Sequence, residues 1–223
     1  MNPHRWTAII VVVFFLIGYV VYLPAAFLLE SILTAPDYLI SVSANQNQVI
    51  LGVLGELTNA AAVAGIAILL FPIFKKRSEV LALWYVVFRA LEAVVFIVAD
   101  VNALSLITLS QEYVAAGAPD ASYFQAAGTL ALAQRYWVTD VMNPVFFVLS
   151  ALVFYYLLYQ TELLPRFISI WGFIAVALLI IGNVLGVSFG IIGLIFFLPI
   201  MLNEIFLAIW LIVKGFNPSA IAS

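Results

Sequence analysis

Long apolar segments recur along this sequence and are separated by short polar turns. Each has about the 20 residues, or more, that an α-helix needs to cross a bilayer core of about 30 Å. The 223 residues are 66% apolar and 9% charged, whereas soluble domains average about 45–50% apolar and about 25% charged. These features exclude a soluble enzyme, a nucleic-acid-binding domain and a disordered chain. They predict an all-α, polytopic membrane protein.

Six segments have the length and composition of membrane spans. Charged residues, prolines or glycines follow each of them, as expected where a helix ends. We expect a six-transmembrane-helix bundle that forms a single integral membrane domain over residues 1–223. The predicted spans cover residues 8–29, 49–74, 80–109, 130–159, 168–187 and 191–213.

Prolines and polar clusters predict what separates these spans. Pro24 should bend the first span, and the polar stretch from Pro36 to Gln48 should form a loop. Residues 111–134 should hold a turn followed by a short stretch along the membrane interface. The glycines in residues 186–193 predict a very short connection between the last two spans.

The basic residues predict how the bundle is oriented. Cytoplasmic loops carry an excess of Lys and Arg. With six spans and both termini inside, six of the eight basic residues fall on the inner side and none falls in the outer loops. These six are Arg5, Lys75, Lys76, Arg77, Arg166 and Lys214. The sequence therefore predicts an N-in/C-in topology.

Several short motifs together carry a family resemblance that covers almost the whole chain. They are Glu56-Leu57-Thr58, Phe71-Pro72-Ile73-Phe74-Lys75-Lys76, Tyr85 to Glu92, Leu163-Leu164-Pro165-Arg166, Trp171-Gly172, Asn203-Glu204 and Ala208 to Phe216. As a set they resemble the family of prokaryotic multi-pass membrane proteins known as DUF4386, a domain of unknown function. The resemblance implies a multi-span fold and a prokaryotic cytoplasmic (inner) membrane location. It implies no functional residue, so function has to be argued from the side chains.

Ionisable residues inside the predicted spans are the main functional signal. Placing Asp, Lys or Arg at the centre of a membrane helix costs about 2.5–3.5 kcal/mol on insertion scales. The predicted spans contain Glu56, Arg89, Glu92, Asp100, Arg135, Asp140 and Glu204. Three of these carboxylates have no basic partner, so each must be protonated, hydrogen-bonded or hydrated.

The third span should carry a polar face. Tyr85, Arg89, Glu92, Phe96 and Asp100 follow one another at three- or four-residue steps, which places them on one side of a helix. We expect this side to point into the bundle.

Polar residues of the other spans should converge with this face on one pocket. Its floor would pair Arg89 with Glu92 or Glu204, and its mouth would pair Arg135 with Asp140 or Asp100. The candidate ligand- or proton-binding residues are Glu204, Glu92, Arg89, Glu56, Asp100, Asp140, Arg135, Asn143, Asn183 and Asn203. Each also has a structural interpretation, because buried ion pairs and polar side chains hold membrane helices together and an arginine can reach the interface.

The residue inventory removes several chemistries. The single histidine, His4, and the absence of cysteine exclude zinc hydrolases, His-ligated haem and iron–sulfur clusters. No phosphate-binding glycine loop is present. We therefore expect no cofactor and no metal, and catalysis is not the favoured function.

Three functional hypotheses remain, and the favoured one is binding or transport of a small solute, which could be proton-coupled. Glu204 and Glu92 would bind protons, and Arg89 would compete for them. The alternative is a membrane scaffold or accessory subunit with structural buried charges. A carboxylate-dependent lipid-modifying enzyme is less favoured. The expected partners are membrane lipids and a small molecule or proton, without nucleic acid.

Overall fold

A computed structural model describes residues 3–119, 123–185, 191–218 and 220. These residues contain helices and turns and no β-strand. In chain order the elements are α1 (Pro3–Ile17), a first π-helical segment (Gly18–Tyr22), α2 (Leu23–Leu33), α3 (Tyr38–Ala44), α4 (Gln46–Phe74), α5 (Glu79–Ala115), α6 (Tyr123–Tyr136), a second π-helical segment (Trp137–Met142), α7 (Asn143–Thr161), α8 (Arg166–Val184) and α9 (Ile191–Val213).

Within the described residues, six helical stretches are long and apolar enough to cross a membrane. They are Arg5–Leu33, Gln46–Phe74, Glu79–Ala115, Tyr123–Thr161, Arg166–Val184 and Ile195–Val213. The prediction of an all-α chain with six span-length helices is therefore confirmed. The first and fourth stretches each consist of two α-helices joined by a π-helical segment.

A proline closely follows each π-helical segment. Proline lacks the N–H that would bond to the carbonyl four residues earlier. For Pro24 and Pro144 those carbonyls belong to Val20 and Asp140, which lie inside the two π-helical segments. The wider π winding lets the chain continue as a helix past each proline. At Pro24, where the sequence predicts a bend, the structure thus shows a local change of helical winding.

The loop predicted from Pro36 to Gln48 is largely wrong, because α3 occupies its middle and α4 begins at Gln46. Leu39 and Val42 lie one helical turn apart on α3, and both are buried in an apolar cluster. Burial of this short apolar face stabilises a helix here, which the polar composition of residues 36–48 does not indicate.

The turn predicted within residues 111–134 is present, but the described residues after it do not form a stretch separate from the fourth span. Helix α5 continues to Ala115, and α6 begins at Tyr123 and leads directly into the fourth long stretch. The chain leaves α5 through Gly117 (φ 84°) and Ala118 (φ 50°). Glycine adopts this left-handed conformation without a steric penalty, which makes it a common end of a helix.

The remaining predicted boundaries agree with the helices to within a few residues, with one difference near the fifth span. This span was predicted to reach residue 187, whereas α8 ends at Val184. Residues 186–190, which hold most of the predicted short connection to the sixth span, lie outside the described residues.

The chain forms two compact units that alternate along the sequence. Unit 1 comprises Met1–Leu16, Ala62–Glu92 and Pro144–Ser223, and unit 2 comprises Ile17–Ala61 and Ala93–Asn143. Each unit has an apolar core. The core of unit 1 includes Leu70, Phe74, Phe154 and Leu157, and that of unit 2 includes Leu29, Val42, Val53 and Leu106.

Close packing of α7 against α8 depends on one glycine. A Cβ atom on Gly172 would overlap ring atoms of Tyr155. That ring is buried, and its hydroxyl donates a hydrogen bond to Asn203, so it cannot move aside easily. We expect Gly172→Ala to lower the free energy of unfolding by about 1–3 kcal/mol, measured by denaturation in mixed micelles.

Gly18 offers a matched control for this substitution. A Cβ there would lie 3.4 Å from Asn59 Oδ1, which is an ordinary contact. Gly18→Ala should therefore be neutral or stabilise the protein by up to about 1 kcal/mol. Equal losses in the two variants would show that overlap with Tyr155 does not cause the effect at Gly172.

Candidate functional site

The polar face predicted on the third span is present on α5. Tyr85, Arg89, Glu92, Phe96 and Asp100 each expose 3% or less of their surface. The prediction that these five residues, spaced three or four apart, form a face directed into the protein is therefore confirmed. Arg89 and Glu92 belong to unit 1, and Asp100 belongs to unit 2.

A buried ion pair is the centre of the polar group in unit 1. Arg89 Nη1 lies 3.0 Å from Glu92 Oε2 and 3.2 Å from Oε1. The guanidinium also lies 5.7 Å from the ring centre of Tyr85 and 5.5 Å from that of Phe147. Cation–π attraction at such distances adds to the ion pair. These aromatic rings therefore help to hold Arg89 within the apolar core.

Glu204 belongs to the same group. It is partly buried on α9 and interacts electrostatically with Arg89 and with Glu92. Two carboxylates thus lie near one guanidinium. We name Arg89, Glu92 and Glu204 the unit 1 cluster.

Asn203, next to Glu204, joins three helices. It is fully buried and accepts a hydrogen bond from the Tyr155 hydroxyl at 2.8 Å. Its Nδ2 atom donates to the carbonyl of Ile168 at 2.9 Å. Asn203 is therefore a structural link between α7, α8 and α9. Tyr155 is absent from the sequence-derived set because nothing in its local sequence distinguishes it from an aromatic core residue.

Two further buried groups in unit 1 have unused hydrogen-bonding capacity. The Tyr85 hydroxyl and Ser169 Oγ make no hydrogen bond with the described residues, although both residues are fully buried. Arg89 Nε is also unused. Buried polar atoms of this kind are uncommon and often mark a place for water or a ligand.

A second buried cluster lies in unit 2, around Arg135. Arg135 Nη2 donates a hydrogen bond to Glu56 Oε1 at 2.7 Å, and Nη1 lies 3.9 Å from Asp100 Oδ1. Asp100 is the partner that the sequence suggested for Arg135, while Glu56 is a partner that it did not. The side chains of all three residues are at least nine-tenths buried. We name Glu56, Asp100 and Arg135 the unit 2 cluster.

Several polar atoms of the unit 2 cluster are unsatisfied. Glu56 Oε2, both carboxylate oxygens of Asp100 and Arg135 Nη1 make no hydrogen bond with described residues. Glu56 and Asp100 also interact electrostatically with each other. Two ionised carboxylates only accept hydrogen bonds, so a hydrogen bond between these two groups would require a proton on one of them.

More acidic groups lie between this cluster and the surface. Glu30 on α2 is exposed and interacts electrostatically with Asp140, Arg135 and Glu56. Asp140 is partly buried and accepts a hydrogen bond from Thr139 at 2.7 Å. The first span was predicted to end at residue 29, just before Glu30. The structure instead places it on α2 near the cluster.

The other two asparagines of the predicted set have different surroundings. Asn183 lies within the predicted fifth span, but its side chain is exposed near the end of α8, and its Nδ2 donates to the carbonyl of Leu179. An exposed amide satisfied by its own helix is not part of a buried site. Asn143 is partly buried and ends the second π-helical segment.

Burial also revises the charge surplus. Of the ionisable residues expected inside spans, only Glu56, Arg89, Glu92, Asp100 and Arg135 are buried, whereas Asp140 and Glu204 are partly exposed. Three buried acids therefore face two buried bases. The surplus of three carboxylates predicted from the sequence becomes one among the buried side chains. Among the described residues, no group of three or more His, Cys, Asp or Glu side chains could hold a metal ion.

Comparison with known proteins identifies the family of this chain. The model of the domain of unknown function DUF4386 matches residues 10–215. The chain belongs to this family. No curated protein and no solved structure matches it. Membership of DUF4386 confirms the resemblance found in the sequence motifs and assigns no activity, so function rests on the two clusters.

Proposed function

We propose that this protein binds a small solute inside the membrane and transports it together with protons. The observation that carries the proposal is the charge ratio in the buried clusters. In each unit, two carboxylates lie near one arginine: Glu92 and Glu204 near Arg89, and Glu56 and Asp100 near Arg135. Each cluster would be neutral if it held one proton, and ionisable groups of this kind inside a membrane protein are by default functional candidates.

The unit 2 cluster is the better supported proton site. A proton on Glu56 or Asp100 would turn one of these carboxyl groups into a hydrogen-bond donor, whereas two ionised carboxylates are only acceptors. It would also remove the surplus negative charge beside Arg135. A proton at this position therefore satisfies buried atoms that have no other partner among the described residues.

A route for the proton supports the same assignment. Glu30 is exposed, Asp140 is partly buried, and Glu56 and Asp100 are buried. Glu30 interacts electrostatically with Asp140 and with Glu56. This series of acids leads from the surface of unit 2 to its interior, as a relay of acidic side chains would require.

The second π-helical segment provides a place where the chain can change shape. It follows Arg135 by one residue and contains Asp140, and π-helical turns occur frequently at functional sites. A change in winding there would move Asp140 relative to Arg135. This supports a coupling between proton binding and conformation.

We also propose the prokaryotic cytoplasmic membrane as the location, with both termini inside. The support is the set of six basic residues beyond or near the helix ends of unit 1. Arg5 bonds to the last carbonyls of α9, Arg77 bonds to Gln160 near the end of α7, and Arg166 starts α8. Positive charge of this kind marks cytoplasmic loops.

Proton and solute movement in reconstituted vesicles tests the transport proposal. Vesicles holding the protein and a pH-sensitive dye would be exposed to a panel of amino acids, sugars, nucleosides and organic acids. We expect at least one class to change the internal pH, and we expect Asp100→Asn and Glu204→Gln to reduce that rate at least about tenfold. A general acid or proton carrier contributes at least this much to a rate.

The control variant is Glu162→Gln, which removes an exposed carboxylate outside both clusters. It should leave the rate unchanged. The proposal is wrong if no solute of the panel moves, or if Asp100→Asn, Glu204→Gln and Glu92→Gln all transport like the unaltered protein.

One observation favours a second candidate function, a membrane scaffold or accessory subunit. Both oxygens of Glu92 are engaged by Arg89, and Asn203 uses both of its amide atoms in hydrogen bonds between helices. A scaffold needs such satisfied contacts and no bound solute. In that case substitutions in the unit 1 cluster would lower stability, and no solute would raise it.

A further inference from the structure

A cavity opens in unit 1 where α8 begins and α9 ends. Its volume is about 300 Å³, and its lining includes Glu162, Pro165, Arg166, Trp210, Lys214 and Asn217. The backbone around it is held in place, because the N–H of Asn217 bonds to the carbonyl of Leu163 at 3.0 Å. None of these residues belongs to the charged clusters described above.

The cavity has one positive charge without a partner. Arg166 is paired with Glu162 at 2.5 Å. The Lys214 side chain is exposed and makes no hydrogen bond or ion pair with the residues that the structure describes. Three charged side chains therefore leave a net charge of one positive unit facing the cavity. An anion of one negative charge would balance it.

The charge of Lys214 does not pair with the carbonyl groups at the end of α9. Lysine near a helix C-terminus often interacts with the last carbonyls. Here Arg5 does so, since its Nη2 donates to the carbonyl of Ile212 at 2.7 Å. Gly215 makes room for Arg5, because a Cβ there would lie 3.0 Å from Arg5 Nη1. Lys214 is therefore available for another anion.

Two further features of the lining suit a phosphate group. The indole N–H of Trp210 donates to no described residue and can serve as a neutral donor. In the first turn of α8, the N–H of Ile168 bonds to the carbonyl of Pro165, whereas the N–H groups of Arg166 and Phe167 have no partner within the helix. Such groups favour phosphate and similar anions, and here they add to the free charge of Lys214.

The surroundings of the cavity resemble a membrane interface. Trp210 packs against Phe167 and Phe206, and tryptophan is enriched at the level of lipid headgroups. Apolar side chains such as Phe167 and Ile212 are about half exposed beside the cavity. A lipid could place its headgroup in the cavity and its acyl chains along these side chains.

We propose that this cavity binds one phosphate group, with Lys214 as its main partner and Trp210 as a second donor. The group could come from the headgroup of an anionic phospholipid or from free phosphate. A phosphodiester carries a single negative charge and matches the net charge of the lining, whereas free phosphate carries more. The proposal is independent of the transport function.

Native mass spectrometry of the full chain in detergent tests this site. The protein would be titrated with phosphatidylglycerol and separately with phosphatidylcholine, in the presence and absence of inorganic phosphate. We expect phosphatidylglycerol to bind at one saturable site, and Lys214→Gln to weaken this binding about fivefold, which corresponds to the loss of one lysine–anionic lipid attraction. Lys214→Arg should restore it.

Lys75→Gln is the matched control, because it removes the same charge from an exposed lysine that does not line the cavity. Binding that survives an excess of inorganic phosphate identifies the lipid headgroup as the source, and binding displaced by it identifies free phosphate. Equal weakening by Lys214→Gln and Lys75→Gln overturns the proposal, because it shows only diffuse attraction. If neither phosphatidylglycerol nor inorganic phosphate binds at a saturable site, the proposal is also overturned.

Discussion

Replacing Arg135 with alanine is expected to lower the free energy of unfolding by about 3–5 kcal/mol. The substitution leaves the buried carboxylates of Glu56 and Asp100 without the only guanidinium near them in the described part of unit 2. An uncompensated buried charge is among the most destabilising changes in a protein. The measurement is denaturation of the purified protein in mixed micelles.

Replacing only one of the two acids should affect the free energy of unfolding differently. Asp100→Asn removes one negative charge from a cluster that has a surplus of one, so stability should stay the same or rise. Glu56→Gln breaks the shorter contact, 2.7 Å to Arg135, and should cost more than Asp100→Asn. Arg77→Ala, which removes an exposed arginine bonded to Gln160, should change stability by less than about 1 kcal/mol. If Arg135→Ala costs no more than Arg77→Ala, the unit 2 cluster is not a buried ion pair.

Replacing Arg89 with alanine should have an effect of similar size, about 3–5 kcal/mol. Glu92 is then buried without its cation, and the contacts of the guanidinium with the rings of Tyr85 and Phe147 are also lost. Glu92→Gln should cost clearly less, because Glu204 still interacts with Arg89 and balances its charge. The free energy of unfolding in mixed micelles should therefore fall more for Arg89→Ala than for Glu92→Gln.

A double variant separates lost charge balance from lost packing. Arg89→Ala combined with Glu92→Gln removes both charges of the pair, so it should recover a large part of the loss seen for Arg89→Ala alone. Recovery of nothing would show that contacts with the aromatic rings, rather than the ion pair, are the main contribution of Arg89. A larger loss for Glu92→Gln than for Arg89→Ala would contradict the assigned role of Glu204.

Local sequence patterns predicted the helices and the polar face of α5 because both depend on near neighbours. Span length and hydropathy require only a window of about 20 residues, and the six long stretches agree with the predicted spans. The polar face requires only the helical repeat, and its five members are buried as expected. The failure at α3 has a tertiary cause. This helix lies in a stretch that ends in a run of Asn and Gln, and it is buried through Leu39 and Val42 against distant parts of the chain, which composition alone does not reveal.

The choice of charge partners was decided by the tertiary structure. Arg135 and Glu56 are 79 residues apart in sequence, and no spacing rule connects residues on different helices. Direct ion pairing acts over a few ångströms, so the pairing depends on how α4, α5 and α6 pack within unit 2. The same holds for Lys214, whose isolation depends on Arg5 occupying the end of α9. The sequence by itself determined the six span-length helices and the buried polar face of α5; packing decided the charge partners that lie on different helices.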